Sequence, residues 1–261
     1  MAYFNGKRIL NARVEGLYET GYAEGEKVGY ADGYTQGEQD GYVKGETEGY
    51  AKGEADGKTA ERDEFWKNYQ NEGNVTQGAY MFAHNGWDDH TFEPRYSLLK
   101  LTRCDNMFNT CAVTDLKGIL ERQGVVFDFS QCVNMGSAFS YSKITVLPTI
   151  STVSASNLAN LFYYSTALHT IDKLILKDDG TQTFSGAFGS CRALANIVIE
   201  GKIGNNINFS PCPLTHDSLM SIINHLATVS TTKTLTLGAT NLAKLTDAEK
   251  AIATEKGWTL A

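Results

Sequence analysis

Four stretches decide the fold: MFNTCAVTDL at 107–116, AFSYSKITVL at 138–147, LFYYSTALHTI at 161–171 and AFGSCRALANI at 187–197. Each opens on a small or apolar residue followed by a phenylalanine, namely Phe108, Phe139, Phe162 and Phe188. Three small or polar residues come next, and an aliphatic pair such as Leu168 and Ile171 or Leu194 and Ile197 closes the unit. The phenylalanines lie 31, 23 and 26 residues apart, and a weaker fifth copy at Tyr80-Met81-Phe82-Ala83 precedes Phe108 by 26. Short strand-like runs fall between them: Val125 to Phe129, Leu174 to Leu176 and Ile197 to Ile199, with the polar turn Lys177-Asp178-Asp179-Gly180. A period of roughly 20 to 30 residues with one strand per unit predicts a solenoid, in which no unit buries its apolar face until a neighbour stacks on it. The phenylalanines then form a ladder through the core, and Cys111 and Cys191, each three residues after its phenylalanine, are expected to be buried and inert.

Such a stack needs caps at its ends. Ser218 to Thr228 reads as an amphipathic helix, Thr234 to Leu237 as a strand, and Thr246 with Glu249 as a capping box opening a last helix. Gly257-Trp258-Thr259-Leu260 reads as a final strand. At the other end the aromatics Trp66, Phe82 and Trp87 are placed to close the first unit.

The N-terminal quarter obeys a different rule. Gly21, Gly25, Gly29, Gly33, Gly37, Gly41, Gly45, Gly49, Gly53 and Gly57 fall at every fourth residue. Collagen is excluded, because its glycine period is three and it needs abundant proline, whereas this chain has 4 prolines. The segment is either a flexible acidic linker or a helix packed on a partner. Ten glycines cost a helix on the order of 10 kcal/mol relative to alanine, which only close helix–helix packing recovers. Four residues advance about 400° around a helix, so the stripe drifts about 40° per step and circles the axis in roughly 36 residues, or about 54 Å. A right-handed pair of crossing helices keeps such a stripe in its seam. No turn signal interrupts it, so the expected partner is another chain, and the ten glycines are assigned to an oligomer interface. Ahead of it, Asn5-Gly6 predicts a two-residue hairpin between Tyr3-Phe4 and Ile9-Leu10.

The formal charge is −7, yet residues 15–64 hold 14 acids against 5 bases, so the acidity belongs to the glycine segment. No basic patch is large enough to neutralise several phosphates, which argues against nucleic acid as a partner. No run of about 18 apolar residues occurs, and MAYFNGKRIL lacks the apolar core of a secretion signal, so the expectation is a soluble product of the cytoplasm with no membrane insertion. The 5 cysteines are odd in number and include no CxxC pair, so neither a disulfide framework nor a zinc site is expected.

Residues from about 60 to 261, including FWKNYQ at 65–70, YMFAHNGWDDHTFEPRY at 80–96, TLTL at 234–237 and GWTL at 257–260, resemble a leucine-rich-repeat protein of the BspA-like type. The variant resembled is that of gut Firmicutes and their phages and prophages, where the repeats follow a short FNGK-type N-terminal segment, as in MAYFNGKRIL. The glycine stripe alone also resembles the deca-GX3 motif of certain eukaryotic adaptor proteins. The repeat resemblance implies an α+β fold with a short leucine-rich-repeat solenoid and a helical and strand C-terminal cap. The domains expected are a hairpin anchor at 1–14, a glycine-repeat helical stalk at 15–60 and the repeat domain with its cap at 61–261. The resemblance carries no catalytic motif.

The residues themselves offer no chemistry either. His84 and His90 flank Trp87-Asp88-Asp89, a group that reads as a hydrogen-bonded corner in preference to a metal site. No GxSxG, Walker or HExxH motif occurs, so no enzyme activity, catalytic residue, metal or cofactor is expected. Binding must come from the surface. If the phenylalanines face inward, the two residues after each form columns: Asn109, Ser140, Tyr163, Gly189, and Thr110, Tyr141, Tyr164, Ser190. Tyr141, Tyr163 and Tyr164 then meet as an amphipathic patch suited to sugars or proteins, unless one or two of them pack between repeats. Together with the phage-type resemblance, anchor, stalk and repeat tip lead to the expectation of a phage tail or baseplate fibre in the virion, expected to join other virion proteins through its N-terminus and to bind a host surface protein or glycan through its tip. The alternatives are a virion scaffolding protein without receptor binding and a bacterial surface adhesin.

Overall fold

The computed structural model describes residues 75–84, 87–94 and 97–261, together with two short strands near the N-terminus. The chain divides into two compact units, one spanning Tyr3–Gly73 and the other made chiefly of Asn74–Ala261. In the first unit, β1 (Tyr3–Phe4) pairs antiparallel with β2 (Lys7–Arg8), with Tyr3 opposite Arg8 and Phe4 opposite Lys7. This corrects the expected partner run: a two-residue connection fixes the second strand at the residues that immediately follow it, not at Ile9-Leu10. The ten-glycine stripe and Trp66 lie outside the described residues.

The second unit is a pile of turns. Phe82, Phe108, Phe139, Phe162, Phe188 and Phe209 are fully buried, and their rings follow one another at centroid distances of 5.0, 5.4, 5.6, 5.4 and 4.3 Å. Phe209 adds a rung that the sequence pattern did not include. Around each of the first five, the residues two before and two after the phenylalanine have left-handed backbone: Tyr80 and His84, Asn106 and Thr110, Ser137 and Tyr141, Asn160 and Tyr164, Gly186 and Ser190. A left-handed non-glycine residue costs roughly 1 to 3 kcal/mol, so a recurring pair must be over-determined by its surroundings.

The hydrogen bonds supply that determination. With the phenylalanine as position zero, the N–H groups at −2, 0 and +2 donate to the next turn. Asn106 donates to the Gly136 carbonyl at 3.0 Å, Phe108 to Ala138 at 2.7 Å and Thr110 to Ser140 at 3.0 Å. The N–H groups at −1, +1 and +3 instead close turns within their own coil, as Met107 to Cys104, Asn109 to Asn106 and Cys111 to Phe108. The same six bonds recur around Phe139 and Phe162. Alternate left-handed residues thus aim alternate N–H groups along the stack, and no buried donor of the turn is left over.

Beyond the turns, among the described residues of this unit, strands form only in the later coils. β3 (Val146–Ser151), β4 (Thr170–Ile175) and β5 (Asn196–Glu200) make a parallel sheet in that order. Ile171 lies opposite both Leu147 and Ile197, and all three side chains are buried. Earlier coils make single parallel bridges, Gln77 with Arg103, Leu98 with Phe127, and Arg103 with Asn134. The run Val125 to Phe129 therefore contributes one bridge where a strand was expected. The long 31-residue spacing between Phe108 and Phe139 holds a helix instead, α1 (Leu116–Gln123), started by the Asp115 side chain accepting from Gly118 N–H and ended by Gly124 at φ 63°.

The sheet is closed at both edges. β3 is an edge strand and contains Pro148, which has no N–H to offer a further strand. At the other edge, Ile197 and Ile199 N–H groups donate to the hydroxyls of Ser218 and Ser221, each at 2.9 Å. Both serines project from one face of α2 (His216–Asn224), being three residues apart. Their hydroxyls take the place of the carbonyls of a next strand. The rest of the chain packs as a second parallel sheet, β6 (Ile207–Asn208), β7 (Lys233–Thr236) and β8 (Trp258–Leu260), with helices α3 (Gly238–Leu242) and α4 (Asp247–Glu255). The Thr246–Glu249 capping box opens α4. Trp258 is buried, and its indole N–H donates to the Ala227 carbonyl at 2.8 Å. Lys256 donates to the Ile223 and Asn224 carbonyls at the end of α2, at 3.0 and 2.8 Å.

One expectation about cysteine is overturned. Cys104 and Cys132 form a disulfide across adjacent coils, with Cα atoms 6.1 Å apart and a sequence separation of 28. Spacing along the chain carried no sign of it, because the approach is created by stacking.

Candidate ligand-binding surface

The position after each turn's closing bond is a buried polar column: Cys111, Ser142, Ser165, Cys191 and Cys212, each three residues past a phenylalanine. Ser165 donates to the Phe139 carbonyl at 2.5 Å and Cys191 to the Phe162 carbonyl at 3.0 Å, so these two positions stitch their coils to the ones before them. Burial pushes the Cys111 thiol up to about 11 and the Cys191 thiol up to about 12, and raises that of Cys212 as well. A thiolate nucleophile is therefore absent from these three sites at neutral pH.

The residues at +2 point the other way. Left-handed backbone at this position carries the side chain out of the stack, and His84, Thr110, Tyr141 and Tyr164 are all exposed. Tyr141 and Tyr164 retain 48% and 44% of their surface, high values for large rings. Tyr163, at +1, is half-buried. The three rings meet: Tyr141 to Tyr164 at 5.2 Å and nearly parallel, Tyr163 to Tyr164 at 5.4 Å, and Tyr141 to Tyr163 at 5.7 Å edge-on. The ladder bonds fix their backbones, Tyr141 N–H to the Tyr163 carbonyl at 2.8 Å and Tyr164 N–H to the Gly189 carbonyl at 2.7 Å.

Glycine in the next coil makes room for the cluster. A Cβ on Gly189 would stand 2.7 Å from Cδ2 of Tyr163, so the ring lies where any other residue would have a side chain. Tyr163 thus packs between coils, as its competing assignment had it, while Tyr141 and Tyr164 present their edges and outer faces to solvent. The structure brings the three predicted tyrosines together as one group.

The corner at 84–91 is occupied by its own hydrogen bonds. Asp88 Oδ1 accepts from the N–H groups of His90 and Thr91, each at 3.0 Å, and from Thr91 Oγ1 at 2.9 Å. The Thr91 hydroxyl, more than any other partner, holds the Asp88 carboxyl below its ordinary range. Asp89 accepts from the Thr114 hydroxyl, from Thr114 N–H at 2.6 Å and from Asp115 N–H at 3.0 Å. Burial works against its charge, but these bonds outweigh it and its pKa too is lowered. Thr110 Oγ1 lies 2.6 Å from His84 Nδ1. Among the described residues, no group of three or more His, Cys, Asp or Glu is placed to hold a metal ion.

A second concavity of about 580 Å³ opens at the C-terminal ends of β4 and β5, lined by Val153, Ile175, Leu176, Lys177, Asp178, Asp179, Glu200 and Gly201. Two of its four charged side chains, Asp179 and Glu200, are engaged. Asp179 Oδ1 accepts from Thr181 N–H at 2.9 Å and Thr181 Oγ1 at 2.8 Å, and Glu200 pairs with Lys173 at 2.9 Å. Sequence reading took Lys177 to Gly180 as a turn and missed the crevice, since Val153, Glu200 and Gly201 are brought to it from other coils. Among the described residues, no helix is long and apolar enough to cross a membrane. No family model, curated protein or solved structure matches this chain.

Proposed function

We propose that the chain is a structural protein of a phage virion, a tail or baseplate fibre whose repeat domain is a BspA-like leucine-rich-repeat solenoid that binds the host cell surface. The observation that carries this is the tyrosine cluster: three rings from two adjacent coils, held by ladder bonds and a glycine seat, with two of them about half exposed. Aromatic groups that are rigid before binding supply contact area with little entropy lost, which is the property of binding anchors. The pile of parallel-bridged coils is consistent with a leucine-rich-repeat solenoid. The glycine stripe from Gly21 to Gly57 serves as a helical stalk that joins copies of the chain, and the N-terminal hairpin docks on other virion proteins. Display of several tips on one stalk multiplies a weak single-site affinity. This function needs no catalytic residue, metal or cofactor.

The test is binding of the full chain to intact cells of gut Firmicutes. The triple variant Tyr141→Ser, Tyr163→Ser, Tyr164→Ser is expected to lose roughly tenfold or more in affinity, about 1.4 kcal/mol, with far-ultraviolet circular dichroism unchanged. Equal binding by the variant would dismiss the cluster. A wild-type chain that binds no cell but co-assembles with tail proteins would establish the scaffolding role instead.

A further inference from the structure

We infer that the ligand of the tyrosine edge is an uncharged polysaccharide lying along the stacked turns, an inference that rests on the receptor-binding reading above. Three columns flank the phenylalanine ladder, at two residues before, one after and two after each ring. From the coil of Phe82 to the coil of Phe188, no position in these columns is Asp, Glu, Lys or Arg, although 20% of the chain is charged. These columns therefore form a strip that carries no carboxylate, ammonium or guanidinium group, and the exposed cations Lys143 and Arg192 stand two residues beyond it on two of the coils. At its rim, Arg103 is closed onto Asp105 by a two-pronged pair, Nε to Oδ1 at 2.6 Å and Nη2 to Oδ2 at 3.2 Å, so that this cation is already neutralised.

What the strip does offer is hydroxyl, carboxamide and phenol. Thr110, Tyr141, Asn160 and Tyr164 are exposed on it, and each side chain both donates and accepts hydrogen bonds. Sugar hydroxyls make the same double demand, and the phenol rings add flat apolar surface for the C–H face of a sugar ring. A charged polymer would find no counter-charge in the three columns, and binding energy for it would have to come from elsewhere.

The periodicity selects a polymer over a single protein epitope. The columns two before and two after the ring repeat their coil-to-coil backbone bonds from the coil of Phe82 to that of Phe162, so equivalent positions recur at the hydrogen-bonded spacing of adjacent strands, about 4.8 Å. A chain of like units can engage successive rungs with like contacts, gaining affinity by adding rungs and requiring no single deep pocket. The tyrosine cluster, with rings from two adjacent rungs, is the strongest point on that track.

The experiment uses the full chain on intact cells, on cells treated with protease, and on cells treated with periodate, which cleaves vicinal diols of sugar rings. A parallel arm uses phosphate-free wall polysaccharide and the anionic teichoic acid fraction of the same cells, each immobilised. Periodate is expected to abolish binding, while protease leaves it within about twofold. Phosphate-free polysaccharide is expected to retain the chain, with less than about twofold change in affinity from low to high salt, since no ion pair is involved. The variant Tyr164→Ser is expected to lose roughly tenfold. Protease-sensitive, periodate-resistant binding, or retention on teichoic acid alone that salt removes, would overturn this inference and leave receptor binding standing. Absence of any cell binding would overturn both.

Discussion

Each coil of the domain has two sides, and they are built by different rules. On the phenylalanine side the same pair of left-handed residues recurs from Tyr80 to Ser190, and the same coil-to-coil backbone bonds recur from Tyr80 to Tyr164. On the strand side the early coils have only single bridges, while the later ones share five- and six-residue strands. Where strand pairing is thin, aromatic packing is dense: Phe82 touches Phe92 at 5.1 Å, Phe108 at 5.0 Å and Phe127 at 5.6 Å. The early coils also carry the Cys104–Cys132 bridge. Turn geometry sets the register of the whole stack, and each region then fills the remaining space with what its sequence supplies.

The comparison is most exposed at Phe139, the middle rung, which is fully buried between Phe108 and Phe162. Phe139→Ala is expected to cost about 3 to 5 kcal/mol by chemical denaturation, through lost burial and the cavity left behind. A loss under about 2 kcal/mol would mean that the turn side does not set the register. Next comes Cys132→Ala. Opening a 28-residue loop is expected to cost about 2 to 4 kcal/mol, with faster hydrogen exchange at Phe108 and little change at Ile171. Uniform exchange along the stack would erase the distinction between early and late coils. Alkylation under denaturing conditions checks the premise: the oxidised chain should take up label at Cys111, Cys191 and Cys212 alone.

The smallest of the three effects lies on the strand side. Ser218→Ala removes the acceptor of the Ile197 N–H, a buried hydrogen bond. The expected cost is about 1 to 3 kcal/mol, that of an orphaned buried donor. Ser221→Ala, whose bond to Ile199 is less buried, should cost less. A neutral result at Ser218 would mean that water replaces the hydroxyl and that the helix is not the edge cap.

Much of the turn side is legible in the residues. The spacing of Phe108, Phe139, Phe162 and Phe188 anticipates adjacent rings, and counting one and two residues onward places Tyr141, Tyr163 and Tyr164 side by side. The capping box at Thr246 is legible for the same reason, since its partners lie within one helical turn. What escapes depends on tertiary approach. Phe209 follows Phe188 by 21 residues with Pro211 and Pro213 after it, so no small and polar run marks it. α1 is short and mostly polar, and only its ends, Asp115 and Gly124, announce it. Gln182 is polar in sequence yet fully buried, its amide donating to the Thr152 and Ala155 carbonyls at 2.8 and 2.9 Å and accepting from Lys177 N–H at 2.9 Å. Thr152 and Ala155 belong to the preceding coil, which only the stack brings near, while Lys177 lies five residues back on the same loop.

The ladder of turn bonds has a consequence at the level of the gene. The coils of Phe82, Phe108, Phe139 and Phe162 each hand the next coil the same three donors at the same three places, so an in-frame loss or duplication of one of these periods would leave the backbone bonds of the turn side unchanged. Length can then drift by recombination in steps of one rung, about 4.8 Å, lengthening or shortening the reach of the domain while Ser218 and Ser221 still close the last edge of its sheet.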